Sequence, residues 1–103
     1  ERTNRLSAAW IEQKTPTDAI VVCMQTSGAL FCYTDRASVR WDYLDAPRFD
    51  QLVRACEAGH HPLFACLFDF EIPSMLAHTR KTGWRQRARI GAATLWELTP
   101  PGR

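Results

Sequence analysis

Ala19-Ile20-Val21-Val22-Cys23-Met24 is the stretch on which the fold turns. It is apolar throughout and rich in β-branched side chains, and it lacks the alternation of a strand with one wet face. Such a run fits a strand covered on both faces, as strands in parallel sheets usually are. Leu63-Phe64-Ala65-Cys66-Leu67-Phe68 repeats the pattern. Both runs therefore belong at the centre of a sheet, with the rest of the chain packed around them.

Outward from these strands, helices alternate with extended segments. Leu6, Ala9, Trp10 and Gln13 form one stripe of a helix that Thr15-Pro16 stops. Ser27 reads as the N-cap of a short helix through Tyr33, and Ser38-Val39-Arg40-Trp41 as a shorter strand. Asp45 and Pro47 open a helix with Phe49, Leu52, Val53 and Cys56 on one face and Gly59 as its stop. A further helix begins near Pro73, carries Ile72, Met75, Leu76 and Thr79 inward, and ends with Arg80-Lys81 before Gly83. Arg87 to Ile90 and Ala93 to Leu98 are strand-like, separated near Gly91, and Thr99-Pro100-Pro101-Gly102 is a terminus. Helix-strand alternation predicts an α/β fold with right-handed crossovers. The expected form is a three-layer α/β/α sandwich with a mostly parallel sheet of four to five strands in the order 2-1-3-4.

At 103 residues the chain is one domain's worth, so residues 1–103 are expected to be a single soluble α/β domain. An apolar fraction of 46%, a charged fraction of 23% and a net charge of +2 exclude disorder and a basic nucleic-acid arm. No run is long and apolar enough for a membrane span, and a signal peptide is not expected, since no apolar stretch follows Glu1-Arg2-Thr3-Asn4-Arg5. The chain opens without Met and reads as a piece excised from a larger protein.

Of the four cysteines, Cys23, Cys32, Cys56 and Cys66, no pair has C-x-x-C spacing and none has histidines at zinc-finger distance. They read as small buried hydrophobes. A disulfide between Cys23 and Cys66 is the alternative if their strands are neighbours, with Cα atoms within about 7 Å.

Ligands of open α/β sheets bind beyond the carboxyl ends of the strands, near the point where strand order reverses. The polar residues expected there are Gln25, Ser27 and Gly28 after the first strand, Arg40, Trp41 and Asp42 around the second, and Asp69 and Glu71 after the third. Ser27-Gly28 offers a helix start suited to a phosphate or carboxylate. Asp69 and Glu71 can accept sugar hydroxyls or hold a cation, and Trp41 or Tyr33 can stack on a sugar ring. Each has a plainer reading: Ser27 as a cap, Asp69 or Glu71 capping the next helix, Arg40 paired with Asp42, and Trp41 in the core. His60 and His61 sit at a strand entrance, the wrong end for such a site. No G-x-G-x-x-G, P-loop or G-x-S-x-G motif is present, so the usual dinucleotide fold, a P-loop NTPase and an α/β-hydrolase elbow are disfavoured.

Gln25-Thr26-Ser27-Gly28, Val39-Arg40-Trp41-Asp42 and Leu67-Phe68-Asp69-Phe70-Glu71, preceded by Trp10-Ile11 and Thr15-Pro16-Thr17-Asp18-Ala19, form a set. Over Leu6 to Leu98 it resembles the soluble C-terminal domain of bacterial multi-spanning membrane glycosyltransferases. These are the enzymes similar to the dolichyl-phosphate-mannose protein mannosyltransferase family and the lipid-A aminoarabinose transferases. The resemblance implies that catalysis, with a polyprenyl-phosphate sugar donor, occurs in a membrane part outside this chain. No catalytic residue, metal or cofactor is carried over to the domain. It implies a bacterial inner-membrane protein with this domain facing the periplasm. The domain would assist donor or acceptor recognition or dock a partner, with the membrane-spanning part of the same chain and a sugar or lipid-linked sugar as partners. The alternative is a stand-alone α/β binding module for a phosphate-containing or other small ligand. A third is a small metal-dependent hydrolase using Asp69 and Glu71. Nucleic acid is not expected as a partner, because the arginines from Arg80 to Arg89 come with low net charge and no aromatic platform motif.

Overall fold

The computed structural model describes residues 2–80 and 82–99, and only the backbone of Phe31 and Cys32. The elements run α1 (Arg2–Lys14), β1 (Ile20–Cys23), α2 (Ser27–Tyr33), β2 (Ala37–Arg40), α3 (Ala46–Gly59), β3 (Leu63–Phe68), α4 (Ile72–His78), β4 (Trp84–Ile90) and β5 (Ala93–Leu98). Short 3-10 turns at Trp41–Tyr43 and Asp69–Glu71 follow β2 and β3. The fold is α/β, as expected, with a five-stranded sheet in the order β2-β1-β3-β5-β4.

The sheet is mixed rather than mostly parallel. β1 pairs in parallel with β2 and β3, whereas β5 pairs antiparallel with β3 and with β4. The expected order 2-1-3-4 is corrected on one side: β5 lies between β3 and β4. A two-residue link, Gly91-Ala92, joins Ile90 to Ala93 and enforces an antiparallel hairpin. Composition then decides which arm goes inside. β5 (ATLWEL) is mostly buried and takes the inner position, while β4 (WRQRARI) leaves its arginines at the edge. Charged edges of this kind discourage pairing with other chains.

The two fully apolar runs become central strands. Strand alternation divides them between two clusters. Val22, Leu63, Ala65 and Leu67 pack with Phe49, Val53 and Cys56 of α3 and Met75 of α4. Val21, Cys23, Phe64 and Cys66 pack with Ala8 and Ile11 of α1 and Leu30 of α2.

Local signals place most helix ends. Asp45 caps α3 by accepting from Arg48 N at 2.9 Å, with Pro47 in the first turn. Phe49, Val53 and Cys56 are buried as the periodicity predicts. The stop differs by one residue: α3 runs through Gly59, and His60 adopts the left-handed conformation at φ 59°. A Cβ on Gly59 would lie 2.7 Å from the ring of the exposed His61 side chain, which would have to shift. In α1 the buried stripe is Ser7, Ala8 and Ile11; Leu6 is 44% exposed, and Ala9 and Gln13 face outward. Small Ser7 and Ala8 let the helix lie close to the sheet, which rotates the expected face. α4 ends at His78, short of Arg80, and Lys81 lies outside the described residues, as does the tail from Pro100.

Arg36 has a role that the linear pattern did not suggest. It is 7% exposed and closes the C-terminus of α1. Its Nη2 donates to the carbonyls of Glu12 and Thr15, both at 2.9 Å, and its Nε to Thr15 Oγ1 at 3.1 Å. Asp35 and Glu12 supply the counter-charge. A cation at a helix C-terminus meets both the free carbonyls and the negative end of the dipole.

Candidate functional site

The parallel register brings the carboxyl ends of β1, β2 and β3 to one edge, with Cys23 opposite Arg40. The residues expected at this edge do stand there, but they resolve into separate pairs.

Trp41 and Glu71 meet. Trp41 is 4% and Glu71 1% exposed, and Trp41 Nε1 donates to Glu71 Oε1 at 2.8 Å. Phe68 N donates to Oε2 of the same carboxylate at 2.9 Å. The His78 ring stands edge-on to Trp41, with centroids 5.3 Å apart. Glu71 is therefore a buried anchor between the turns that follow β2 and β3. A buried carboxylate is tolerated when its oxygens accept good hydrogen bonds.

Arg40 and Asp42 pair with each other. Nε and Nη2 of the guanidinium reach Oδ1 and Oδ2 at 3.0 and 2.7 Å, a two-pronged geometry. Hydrogen bonding to Arg40 holds the Asp42 carboxyl below its ordinary range. The guanidinium also lies 4.6 Å from the centroid of the Tyr43 ring.

Asp69 faces away from Glu71 and takes Arg89 of β4, Nη1 to Oδ2 at 2.9 Å and Nη2 to Oδ1 at 3.2 Å. Asp69 N donates to Ala92 O at 2.9 Å, tying the turn to the β4–β5 hairpin. Asp69 and Glu71 thus diverge, which removes the basis for reading them as a joint metal or acid pair. Neither caps α4 through its side chain.

Gln25, Ser27 and Gly28 form the fourth group. Gln25 and Gly28 are exposed, and a Cβ on Gly28 would meet nothing within 4 Å. The cap position belongs to Thr26 rather than Ser27, and its side chain makes no capping bond. Thr26 turns inward instead, at 0% exposure. Its hydroxyl stands near the thiols of Cys23 and Cys66, and Ser7 near Cys66, close enough to favour their ionised forms. Neither hydroxyl makes a hydrogen bond of full geometry. Burial dominates and pushes the Cys23 thiol up to about 12 and that of Cys66 to about 11. Cys56 is buried on the opposite face; the Cys32 side chain lies outside the described residues.

Beside these pairs stand two exposed aromatic rings. Tyr43 is 68% and Phe70 65% exposed, one on each of the turns that the Trp41–Glu71 bond joins. Two further features escaped the linear reading. A pocket of about 200 Å³ opens beside α4, lined by Leu67, Ile72, Met75, Leu76, Trp84 and Trp96. On the other face, a bulge between Gln86 and Ala88 puts Arg87 over the rings of Trp10 and Phe64 and against Glu97, which Arg85 also reaches. Charge at the end of a side chain is legible in a sequence; the partner contributed by a distant strand is not.

Among the described residues no three histidine, cysteine or carboxylate side chains gather as a metal site, and no helix is long and apolar enough to cross a membrane. Fold and edge define the class: an open mixed α/β sheet whose strand-end carboxylates are held by internal partners. Comparison with protein-family models, characterised proteins and solved structures gives no match.

Proposed function

We propose that this chain is a non-catalytic extracytoplasmic domain of a bacterial integral-membrane glycosyltransferase that helps recognise the sugar donor or acceptor. The context comes from the sequence resemblance. In this reading the periplasm is its compartment and the membrane-spanning part of the same chain its partner. The three-layer arrangement, α1 and α2 on one face and α3 and α4 on the other, is the rigid frame.

One observation carries the recognition role: the exposed rings of Tyr43 and Phe70 stand on turns locked together through Trp41 and Glu71. Rings of this kind stack on the C–H faces of sugars and lose little conformational freedom in doing so. The carboxylates at the same edge are engaged by Arg40, by Arg89 and by Trp41 with Phe68 N. In this reading these carboxylates shape the edge and hold its turns, and the chemistry belongs to the membrane part of the chain.

Incubation of the domain with a short-chain polyprenyl-phosphate sugar tests the reading. Expected are saturable amide shifts at residues 41–43 and 69–71, their loss in Tyr43→Ala/Phe70→Ala, and no sugar transfer. Transfer by the domain alone, or shifts confined to other regions, overturns it.

A further inference from the structure

Cys23 and Cys66 are brought side by side by the sheet. β1 and β3 are parallel with Val22 opposite Ala65, and one more step along both strands sets Cys23 opposite Cys66. Both belong to the apolar cluster on the α1/α2 face, both are 0% exposed, and both are free thiols. Paired strands run about 4.8 Å apart, which lies within the roughly 4.4–6.8 Å spanned by the Cα atoms of disulfides. In-register Cβ atoms on parallel strands are nearly as far apart as the Cα atoms, so closure requires a small pinch of the two strands. That cost makes such a bond easier to reduce than an unstrained one.

The surroundings permit the change. Thr26 Oγ1 and Ser7 Oγ flank the thiols without a fully formed hydrogen bond, so loss of the S–H groups breaks no established bond. Cys56 packs on the opposite face of the sheet and cannot compete for either sulfur in the folded chain.

We propose that Cys23 and Cys66 are a reversible redox pair that closes to a disulfide tying β1 to β3 when the chain equilibrates with an oxidised small-molecule disulfide such as glutathione disulfide. One cysteine, as its thiolate, attacks glutathione disulfide, forming a mixed disulfide and releasing one glutathione thiolate. The second cysteine thiolate displaces the other glutathione. The two protein thiols lose two electrons and two protons, and glutathione disulfide becomes two glutathione thiols. Because the thiols are buried, exchange proceeds during folding or local opening. The inference does not depend on the glycosyltransferase reading.

The test uses Cys32→Ser/Cys56→Ser, refolded in buffers of stepped reduced-to-oxidised glutathione ratio, quenched in acid, denatured and alkylated. Expected is a species lighter than the dithiol form by about 2 Da, carrying no alkyl group, linked between the Cys23 and Cys66 peptides and folded by circular dichroism. Its fraction should rise with oxidised glutathione and fall again with dithiothreitol. If the double variant fails to fold, peptide mapping of the wild-type chain reads the same linkage. Full alkylation of both cysteines at every ratio, a glutathione adduct as end product, or a linked species without native circular dichroism overturns the proposal.

Discussion

Trp41 Nε1 donates to Glu71 Oε1 at 2.8 Å across 30 residues of sequence, while Phe68 N donates to Oε2 of the same carboxylate at 2.9 Å. One buried side chain thereby joins the turn after β2 to the end of β3. It also fixes the relative placement of the turns that carry Tyr43 and Phe70.

Glu71→Gln tests this anchor. The amide keeps one acceptor, but its NH2 group must then face either Trp41 Nε1–H or Phe68 N–H, donor against donor. A loss of about 1–3 kcal/mol in urea unfolding is expected, the cost of a buried group left unpaired. Trp41→Phe removes the other partner, and the double variant should lose less than the sum of the singles because the two sites are coupled. Strict additivity would show that the bond contributes nothing of its own.

Arg36→Ala should destabilise by about 2–4 kcal/mol, because the Glu12 and Thr15 carbonyls lose a buried charged donor. Arg36→Lys should recover only part of this, since an ammonium cannot serve those acceptors with the same fork. Equilibrium denaturation and hydrogen exchange in the last turn of α1 check both. A neutral Arg36→Ala would mean that water replaces the guanidinium without cost.

Alkaline stability follows from the thiols. Cys23 and Cys66 are raised by burial from 9.0 to about 12 and about 11. Their contribution is fully present below the unfolded value and is lost as pH rises through the folded ones. Above pH 9.0 the unfolded chain binds fewer protons than the folded chain. Unfolding free energy should therefore fall, with each thiol adding up to about 1.4 kcal/mol per pH unit to the slope. Denaturant titrations between pH 8 and 11 should show a shallower decline in Cys23→Ala/Cys66→Ala than in wild type, whatever the offset from the cavities. Equal slopes would contradict the burial.

Gly91→Ala should cost about 1–3 kcal/mol. Gly91 has φ 57°, and a Cβ there would lie 2.9 Å from Thr3 Oγ1. The substitution strains the β4–β5 hairpin and pushes on the start of α1 together. Thermal unfolding reads the loss, and Thr3→Ala in the same chain should return the steric part. An unchanged Gly91→Ala would show that the turn relaxes freely.

Much of the architecture was legible because it depends on local pattern. Unbroken apolar runs marked β1 and β3, and Asp45 with Pro47 marked the start of α3. The spacing of Phe49, Val53 and Cys56 marked the buried face of that helix. The candidate edge was legible for a similar reason, since parallel strands carry their C-terminal residues to one side. Three things were not legible. The inner position of β5 depended on the burial of each hairpin arm against β3. The rotated face of α1 depended on how closely Ser7 and Ala8 approach the sheet. The divergence of Asp69 and Glu71 depended on Arg89 of β4 and on Trp41 of the turn after β2, both distant in sequence.

The sequence by itself determined that this is an α/β chain with two fully covered strands, a capped start to α3 and polar residues at the strand ends, because hydrophobic burial and capping act over a few residues. Only the tertiary structure decided which polar groups face one another. It turned three strand-end carboxylates into three separately held pairs, closed α1 with Arg36 and set Cys23 beside Cys66. Hydrogen bonds and ion pairs form between whichever groups the sheet register brings within about 3 Å, and that register is a property of the folded chain.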